Sequence, residues 1–574
     1  MQNNSVIIHD AATARWLLFK DPLKIITTNE ISEIIPLLTF LEHRLASTNK
    51  YAAGFLSYES APAFDPAMKA KSPTDFPLMW FGIYDKPQEA VLSAVSTVCP
   101  QIKWQPSISQ QIYHSNIAKI KTLIREGETY QINYSFRLKA DLHTDPYDLF
   151  LQLINAQKAD YGAFIQLADW IICCASPELF FETQGQSLIS RPMKGTAPRA
   201  LSFLDDIQHA ADLRRSEKNQ AENVMIVDMV RNDMSRIAQT GSVRVDSLFD
   251  IEKYPTLWQM TSSVSCRTPA AVTGILKAMF PAASITGAPK VRTTELIAEL
   301  EDSPRNIYTG SIGFISPSRT QFNVAIRTVL LDRKTNIAEY GVGGGIVWDS
   351  VNQAEFDECC TKAKVLTHIQ PPFDVLETML WEPQQGYFLL ERHLKRLADS
   401  AAYFSYPFDV ETLQKQLIEL AGGFKSAQKI RVLLGQNGHI TVENADFAQS
   451  VVAPRVCLAK SPVNSNDLFL YHKTTNRSIY RQKLGECPGF DDVVLYNEKG
   501  EVTESTIANV LIEKNNELLT PPLSCGLLAG TYREFLLEQK KIKESPITIN
   551  DIYNSKGFFL INSVRKMYPI SLIL

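Results

Sequence analysis

At 574 residues the chain exceeds what one hydrophobic core can serve, so at least two folded units are expected. Its 45% apolar and 21% charged content excludes a mostly disordered chain and a small disulfide scaffold. A formal net charge of -4 supplies no basic field for a polyanion, which argues against nucleic acid as a partner. Nine cysteines, with adjacent pairs at Cys173-Cys174 and Cys359-Cys360 and no C-x-x-C, argue against a disulfide framework or zinc ribbon and for a reducing compartment. The opening MQNNSVIIHD lacks a basic stretch followed by a long apolar one, and no uncharged apolar run reaches about 18 residues. A soluble, cytoplasmic protein without a membrane span is the expectation.

In chain order, the runs GAFIQL, WIICCA and SIGFIS read as strands, and 216–238 and 353–366 read as helices, which makes the first part α/β or α+β. The joint is expected at 367–372 (THIQPP), where a helical run ends in two prolines. Beyond it FDVLETML, KIRVLLG, DDVVLYN and NVLIEK read as strands, and 391–403 and 531–540 as helices, again a mixed module. The expected domains are 1–368 and 372–574.

In the first module, SLISRPMKGTAPR places Lys194 between a strand-like run and a Gly-Thr-x-Pro turn. A lysine beside a turn is by itself solvated surface, because an ammonium group is cheap only in water. Glu178, in CCASPELFFE, lies between apolar stretches, where partial burial raises a carboxyl pKa and suits it to general-acid work. Glu222 stands on one helical pattern, while Glu355, Glu358 and Lys362 share a face of another. That face reads either as a solvated salt-bridge ladder or as a magnesium site, in which one or two carboxylates leave room for water and an anion. In the second module, Lys473 follows an apolar run in LFLYHKTTNRSIY, and Glu504 sits in EVTESTIANVLI. His393 and Arg396 share a helix face, and CGLLAGTYRE offers helix N-terminal amides suited to a phosphate.

Taken in order, SPELFFE, RPMKGTAPR, AENVMIVDMVRND, FPAASITGAPK, YTGSIGFIS, NVAIRTV and GVGGGIVWDS followed by EFDECCTKAK resemble the chorismate-utilising enzymes. The likeness covers most of 112–366 and implies a β-sandwich core flanked by helices. The family comprises anthranilate, aminodeoxychorismate, isochorismate and salicylate synthases, and Lys194 in K-G-T-x-P-R resembles the aminodeoxychorismate branch. It implies that Lys194 attacks the chorismate ring, that Glu178 protonates the departing hydroxyl, and that Arg327 grips a substrate carboxylate. It also implies Mg2+ held by Glu222 and Glu358 with Glu355 close by, and substrate contacts from Tyr308, Gly344 and Lys362. Asn219 stands where many relatives carry an acidic residue. AGFLSYES resembles the region where relatives hold an amino acid such as tryptophan. GECPGF mimics a glutaminase elbow, but proline follows its cysteine and His472 is the last histidine. Ammonia is therefore expected from a separate glutamine amidotransferase subunit or from free ammonium.

The ordered set ETM, HLKRL, KTTNR, EVTESTIANVL, GLLAGTYRE and NSVRKM resembles fold-type IV pyridoxal-phosphate enzymes, which have two subdomains, and among them the aminodeoxychorismate lyases. That likeness implies that Lys473 binds pyridoxal 5'-phosphate covalently, that Glu504 pairs with its ring nitrogen, and that Arg396 with the Gly530-Thr531 backbone holds its phosphate. Tyr532 stands where relatives often carry threonine. Thr378 separates the lyase reading from aminotransferases, which commonly have glycine there. The joint expectation is a bifunctional enzyme of 4-aminobenzoate (folate) biosynthesis that aminates chorismate and then eliminates pyruvate. The resemblance also admits a homodimer through the C-terminal half. The rivals are an anthranilate-type synthase fused to an aminotransferase, and a degenerate chorismate-binding scaffold.

Overall fold

Apolar runs rich in β-branched and aromatic residues form the strands at the centre of each half. The computed structural model describes residues 3–93, 102–368, 371–448 and 453–573, so that 369–370 of the expected joint lie outside the described residues. The chain divides into two compact units: Met1–Arg199 with His209–Gln370, and Ala200–Gln208 with Pro371–Leu574. The division departs from a single contiguous cut at one segment. Within the second unit, Ala200–Gln208 is anchored by Tyr403, whose hydroxyl donates to the Ala200 carbonyl at 2.8 Å, and by His472 Nε2, 3.1 Å from the Leu201 carbonyl.

The first unit is a β-sandwich. Two antiparallel sheets, each of ten strands among the described residues, share a core. Val6, Ile8, Ile165 and Ile172 of one sheet meet Phe55, Trp80, Ile312 and Phe314 of the other. Helices cover the sandwich: Ile34, Leu38 and Leu41 of the helix Ile31–Thr48 join Ile26, Phe81 and Ile83 in the larger apolar cluster. The runs expected as strands form Tyr161–Gln166, Trp170–Ser176 and Ser311–Ile315, and the expected helices form Glu217–Ser235 and Asn352–Ala363. The helix Glu217–Ser235 begins where the Ser216 side chain accepts the Asn219 N–H, which satisfies an otherwise open amide.

The second unit has two sheets. In the four-stranded antiparallel sheet, Val375–Glu382 lies beside Gln428–Leu434. Its Val375, Met379, Ile430 and Val432 pack against Leu394, Leu397 and Leu413 of the helices Leu390–Phe404 and Val410–Ala421. The nine-stranded mixed sheet is built around Asp492–Tyr496, Val502–Ser505 and Asn509–Lys514. Among the described residues, no helix is long and apolar enough to cross a membrane.

Candidate functional site

One cavity in the first unit brings together Glu178, Lys194, Glu222, Tyr308, Arg327, Glu355, Glu358 and Lys362. The sequence separates these residues by up to 184 positions (362 minus 178), and the sandwich converges them. Lys194 reaches the cavity through a bulge in the strand Met193–Pro198, where Met193 pairs with Thr261 but Thr196 pairs with Gln259. Three steps on one strand thus face two on the other, which re-aims the intervening side chain. Gly195 makes the bend at φ +100°, a conformation that favours glycine, and Asn219 lies against it. The strand is tied to the helix Glu217–Ser235 by Asn223, whose Nδ2 donates to the Lys194 carbonyl at 3.4 Å and whose Oδ1 accepts from Ser262 at 2.6 Å.

Lys194 is only 8% exposed. Burial pushes its pKa down, against the pull of Glu222 up, which raises the fraction of neutral, nucleophilic amine. Its Nζ rests over Gly345, where a Cβ would lie 2.1 Å from it, so only glycine leaves room for the amine. Glu178 is 3% exposed, and its carboxyl accepts from Ser284 Oγ at 2.6 Å and from the Met193 N–H at 3.4 Å. Burial pushes this carboxyl up to about 7, although both hydrogen bonds and Lys194 oppose the shift. A buried amine whose pKa is lowered and a buried acid whose pKa is raised therefore line one cavity, each shifted in the direction that nucleophilic and general-acid chemistry use.

The helix Asn352–Ala363 supplies the remaining charges. Glu358 pairs with Lys362 at 2.7 Å, and Lys362 Nζ also donates to the Gly343 carbonyl at 2.9 Å. Glu355 accepts from Ser350 Oγ at 2.7 Å and pairs with Lys218 at 3.4 Å, while Glu222 lies 3.8 Å from the same lysine. A Cβ on Gly344 would lie 3.4 Å from Glu355 Oε2 and 3.9 Å from Lys362 Nζ, so the glycine run sits directly under this charged group. Among the described residues, no three His, Cys, Asp or Glu side chains form a closed metal cluster. Two or three carboxylates opening onto one cavity still suit Mg2+, which keeps much of its shell for water and an anionic ligand.

Three residues the sequence reading did not single out also belong here. Ser284 lies in FPAASITGAPK, where the motif was visible but not the hydroxyl's partner. Gln131 is fully buried with both side-chain polar atoms unpartnered, and its Nε2 would lie 2.8 Å from the same Gly345 Cβ that meets Lys194. Gln157 bonds Arg327 from 170 residues away, a separation at which the sequence offers no local signal.

The second unit holds a cavity of about 510 Å3 lined by Thr378, Arg396, Lys473, Tyr480, Glu504, Asn509, Gly530 and Thr531, among others. Burial pushes Lys473 down to about 8, helped by Arg396 and opposed by Glu377. Glu504, 4% exposed, accepts from Tyr480 Oη at 2.7 Å and Asn509 Nδ2 at 3.3 Å, and burial pushes it up to about 7. Gly530 precedes the helix Thr531–Glu538, whose N-terminus has no side-chain cap, and a Cβ on Gly530 would strike Asn509 Oδ1. Arg396 spends its fork on Glu377, with Nε at 2.7 Å and Nη2 at 2.8 Å, and its Nη1 donates to the Ala529 carbonyl at 2.9 Å. His393 Nδ1 adds a 2.7 Å contact to the same carboxyl, which stays ionised well below the usual range against the cost of burial. Glu377 lies in the ETM motif, but the contacts that make it the anchor for both helix residues form only in the folded chain. Thr378 lies opposite Arg431, and its carbonyl accepts from Ser563 Oγ at 3.2 Å.

Residues 92–368 match the family of chorismate binding enzymes, and residues 374–573 match the class IV amino-transferases. Aminodeoxychorismate synthase component 1 of Salmonella typhimurium is 38% identical over 268 residues, 46% of this chain and 59% of that protein. The protein of the same name from Escherichia coli is 37% identical over 262 residues, 45% of this chain and 57% of that protein. An anthranilate synthase component 1 of Haloarcula marismortui is 30% identical over 364 residues, 55% of this chain and 72% of that protein. The crystal structure of anthranilate synthase component I from Streptococcus pneumoniae shares the fold, with TM-score 0.52 and 24% identity over 64% of this chain and 93% of that one. The chain belongs to the chorismate binding enzymes, and its second unit carries the fold of the class IV amino-transferases. It spans between 57% and 59% of the length of the Escherichia coli and Salmonella relatives.

The class IV match implies pyridoxal phosphate in the second unit. The donor set fits that group: a lysine with a depressed pKa, a buried carboxyl, and an uncapped helix N-terminus behind a glycine line one cavity.

Proposed function

We propose that the chain aminates chorismate to 4-amino-4-deoxychorismate in its first unit and eliminates pyruvate from that compound in its second, giving 4-aminobenzoate. The observation that carries this reading is Lys194, a buried amine on a strand bulge facing a buried acid in the chorismate-binding unit. Chorismate must lose its C4 hydroxyl and gain nitrogen at the same carbon. Lys194 Nζ forms a bond to ring C2, both ring double bonds shift by one position (C1=C2 to C1=C6 and C5=C6 to C4=C5), and the C4–O bond breaks as Glu178 delivers its proton, so the oxygen leaves as water. Ammonia then bonds to C4, both double bonds shift back, and the C2–N bond to Lys194 breaks. The proton lost by the incoming nitrogen returns to Glu178. Arg327 holds one substrate carboxylate in its planar fork, Tyr308 and Lys362 line the place of the ring, and Gly344, which does not itself line the cavity, lies against Glu355 and Lys362. Mg2+, when held by Glu222 and Glu358 with Glu355 beside them, would offset the charge of the other carboxylate. Ammonia comes from a separate glutamine amidotransferase, as the component 1 relatives suggest.

In the second unit, pyridoxal phosphate supplies an electron sink when bound. Lys473, in the cavity and with its pKa lowered to about 8, would hold the cofactor and then take the proton from C4. Glu504, which lines the cavity, would pair with the ring nitrogen of the bound cofactor, and that positive charge would draw the carboxyl back to its ionised form. The helix N-terminus at Gly530-Thr531 would hold the phosphate, and Arg396 lines the same cavity while Glu377 keeps it in place. Loss of the C4 proton and rupture of the C3–O bond release enolpyruvate, which takes up a proton to become pyruvate and leaves an aromatic ring.

The test is product analysis. With chorismate, Mg2+, ammonium and pyridoxal phosphate, the chain is expected to release 4-aminobenzoate and pyruvate in equal amounts. Anthranilate as the main product, or no turnover of chorismate, would overturn the proposal.

A further inference from the structure

Arg327 is 5% exposed, and its backbone sits at φ +51°, a left-handed conformation that costs a non-glycine residue energy. The Ala175 N–H holds its carbonyl at 3.1 Å, so the strained backbone is tied into the sheet. Its guanidinium lies 5.5 Å from the ring of Tyr254, and among the described residues it has no carboxylate partner. Among the described residues, the side chain that hydrogen-bonds its guanidinium is Gln157, the last residue of the helix Pro146–Gln157, whose Oε1 accepts from Arg327 Nη1. Gln157 is 0% exposed, and its Nε2 has no partner among the described residues. Arginine only donates hydrogen bonds, so the oxygen of the amide must face it.

Burying an arginine without a counter-charge is expensive, and a carboxylate at position 157 would be the ordinary remedy. A carboxylate would orient the fork equally well, but it would also neutralise the charge and occupy the donors a ligand needs. An amide supplies the acceptor and leaves the full positive charge for an incoming carboxylate. We infer that Gln157 is a positioning residue that presents Arg327 to the substrate carboxylate as an oriented and un-neutralised cation. The inference rests on the proposed role of Arg327 in binding chorismate.

The experiment uses the full chain with Gln157→Glu, which keeps the shape and the acceptor but adds a charge, and Gln157→Met, which keeps the size but removes the acceptor. Amination of chorismate with saturating ammonium and Mg2+ gives KM and kcat, and thermal melting reports on the first unit. Gln157→Glu is expected to raise KM for chorismate about tenfold or more, with kcat within about threefold of wild type and a melting temperature no lower. Gln157→Met is expected to raise KM by a smaller factor. A purely structural role predicts the opposite order, with the isosteric glutamate close to wild type and the methionine impaired. An unchanged KM in Gln157→Glu would overturn the inference. So would a loss confined to kcat, or a collapse of folded structure, since the argument requires that a carboxylate be welcome beside the guanidinium. A wild-type chain that fails to aminate chorismate would instead remove the functional reading on which this one stands.

Discussion

Replacing Gly345 with alanine tests whether the Lys194 amine must sit where the structure holds it. A Cβ at this position would lie 2.1 Å from Lys194 Nζ, 2.9 Å from its Cε and 2.8 Å from Gln131 Nε2. Ordinary contact begins near 3.4 Å, so the amine has to withdraw from 2.1 Å by about 1.3 Å. Gly345 is not among the glycines with positive φ, so alanine meets no backbone strain there. The atoms it displaces are mainly the tip of a flexible side chain, and the fold should lose no more than about 1 kcal/mol. Catalysis is far more sensitive, because misplacing a reacting group by about 1 Å costs on the order of 100-fold, or roughly 2.7 kcal/mol of barrier. The assay is the rate of 4-amino-4-deoxychorismate formation from chorismate and ammonium without pyridoxal phosphate. Turnover of supplied 4-amino-4-deoxychorismate in the cofactor-loaded chain serves as the internal control. A variant that aminates chorismate within about threefold of wild type would refute the argument that the glycine exists to seat this amine.

Further outcomes follow from the same geometry. Glu178, raised to about 7, keeps its transferable proton below that pH, so kcat/KM for amination should fall as pH rises through about 7. The same shift bears on stability: relative to an unperturbed glutamate carboxyl at 4.5, the folded carboxyl holds its proton more tightly, so its contribution is complete below about 4.5 and lost as pH rises through about 7. Calorimetry should therefore show Glu178→Gln losing less stability than wild type between about pH 5 and pH 8, and equal losses would contradict the assigned burial. Glu377→Gln leaves the nearly buried Arg396 without its counter-charge and should destabilise the second unit by about 3 kcal/mol or more; an unchanged melting profile would count against the anchor. Lys194→Ala should abolish amination but spare turnover of supplied 4-amino-4-deoxychorismate, whereas Lys473→Ala should stop pyruvate release and prevent borohydride fixation of the cofactor. Loss of both activities in either variant would show that the two sites do not act separately.

Much of the architecture was legible along the chain because it depends on local periodicity. WIICCA and NVLIEK are strands where their β-branched runs placed them, and 216–238 contains the helix Glu217–Ser235. Lys194, Glu178, Glu222, Glu358 and Arg327 were each noticed in a motif, and the cavity they share is the sum of those motifs. What stayed hidden involved partners rather than residues. Ser284 on Glu178, Gln157 on Arg327 and Glu377 beneath Arg396 are contacts across 106, 170 and 19 positions, and no periodicity encodes them. The segment Ala200–Gln208, which joins the second unit, was likewise invisible to a reading that expected one cut.

Residue chemistry and order along the chain therefore determined the two-unit plan, the likeness to the chorismate binding enzymes and the side chains proposed to react. Tertiary structure decided which amine is buried, which acid has its pKa raised by burial, and which arginine has no carboxylate partner among the described residues. Those properties depend on desolvation and on neighbours within a few ångströms, and a sequence specifies such neighbours only through the fold it adopts.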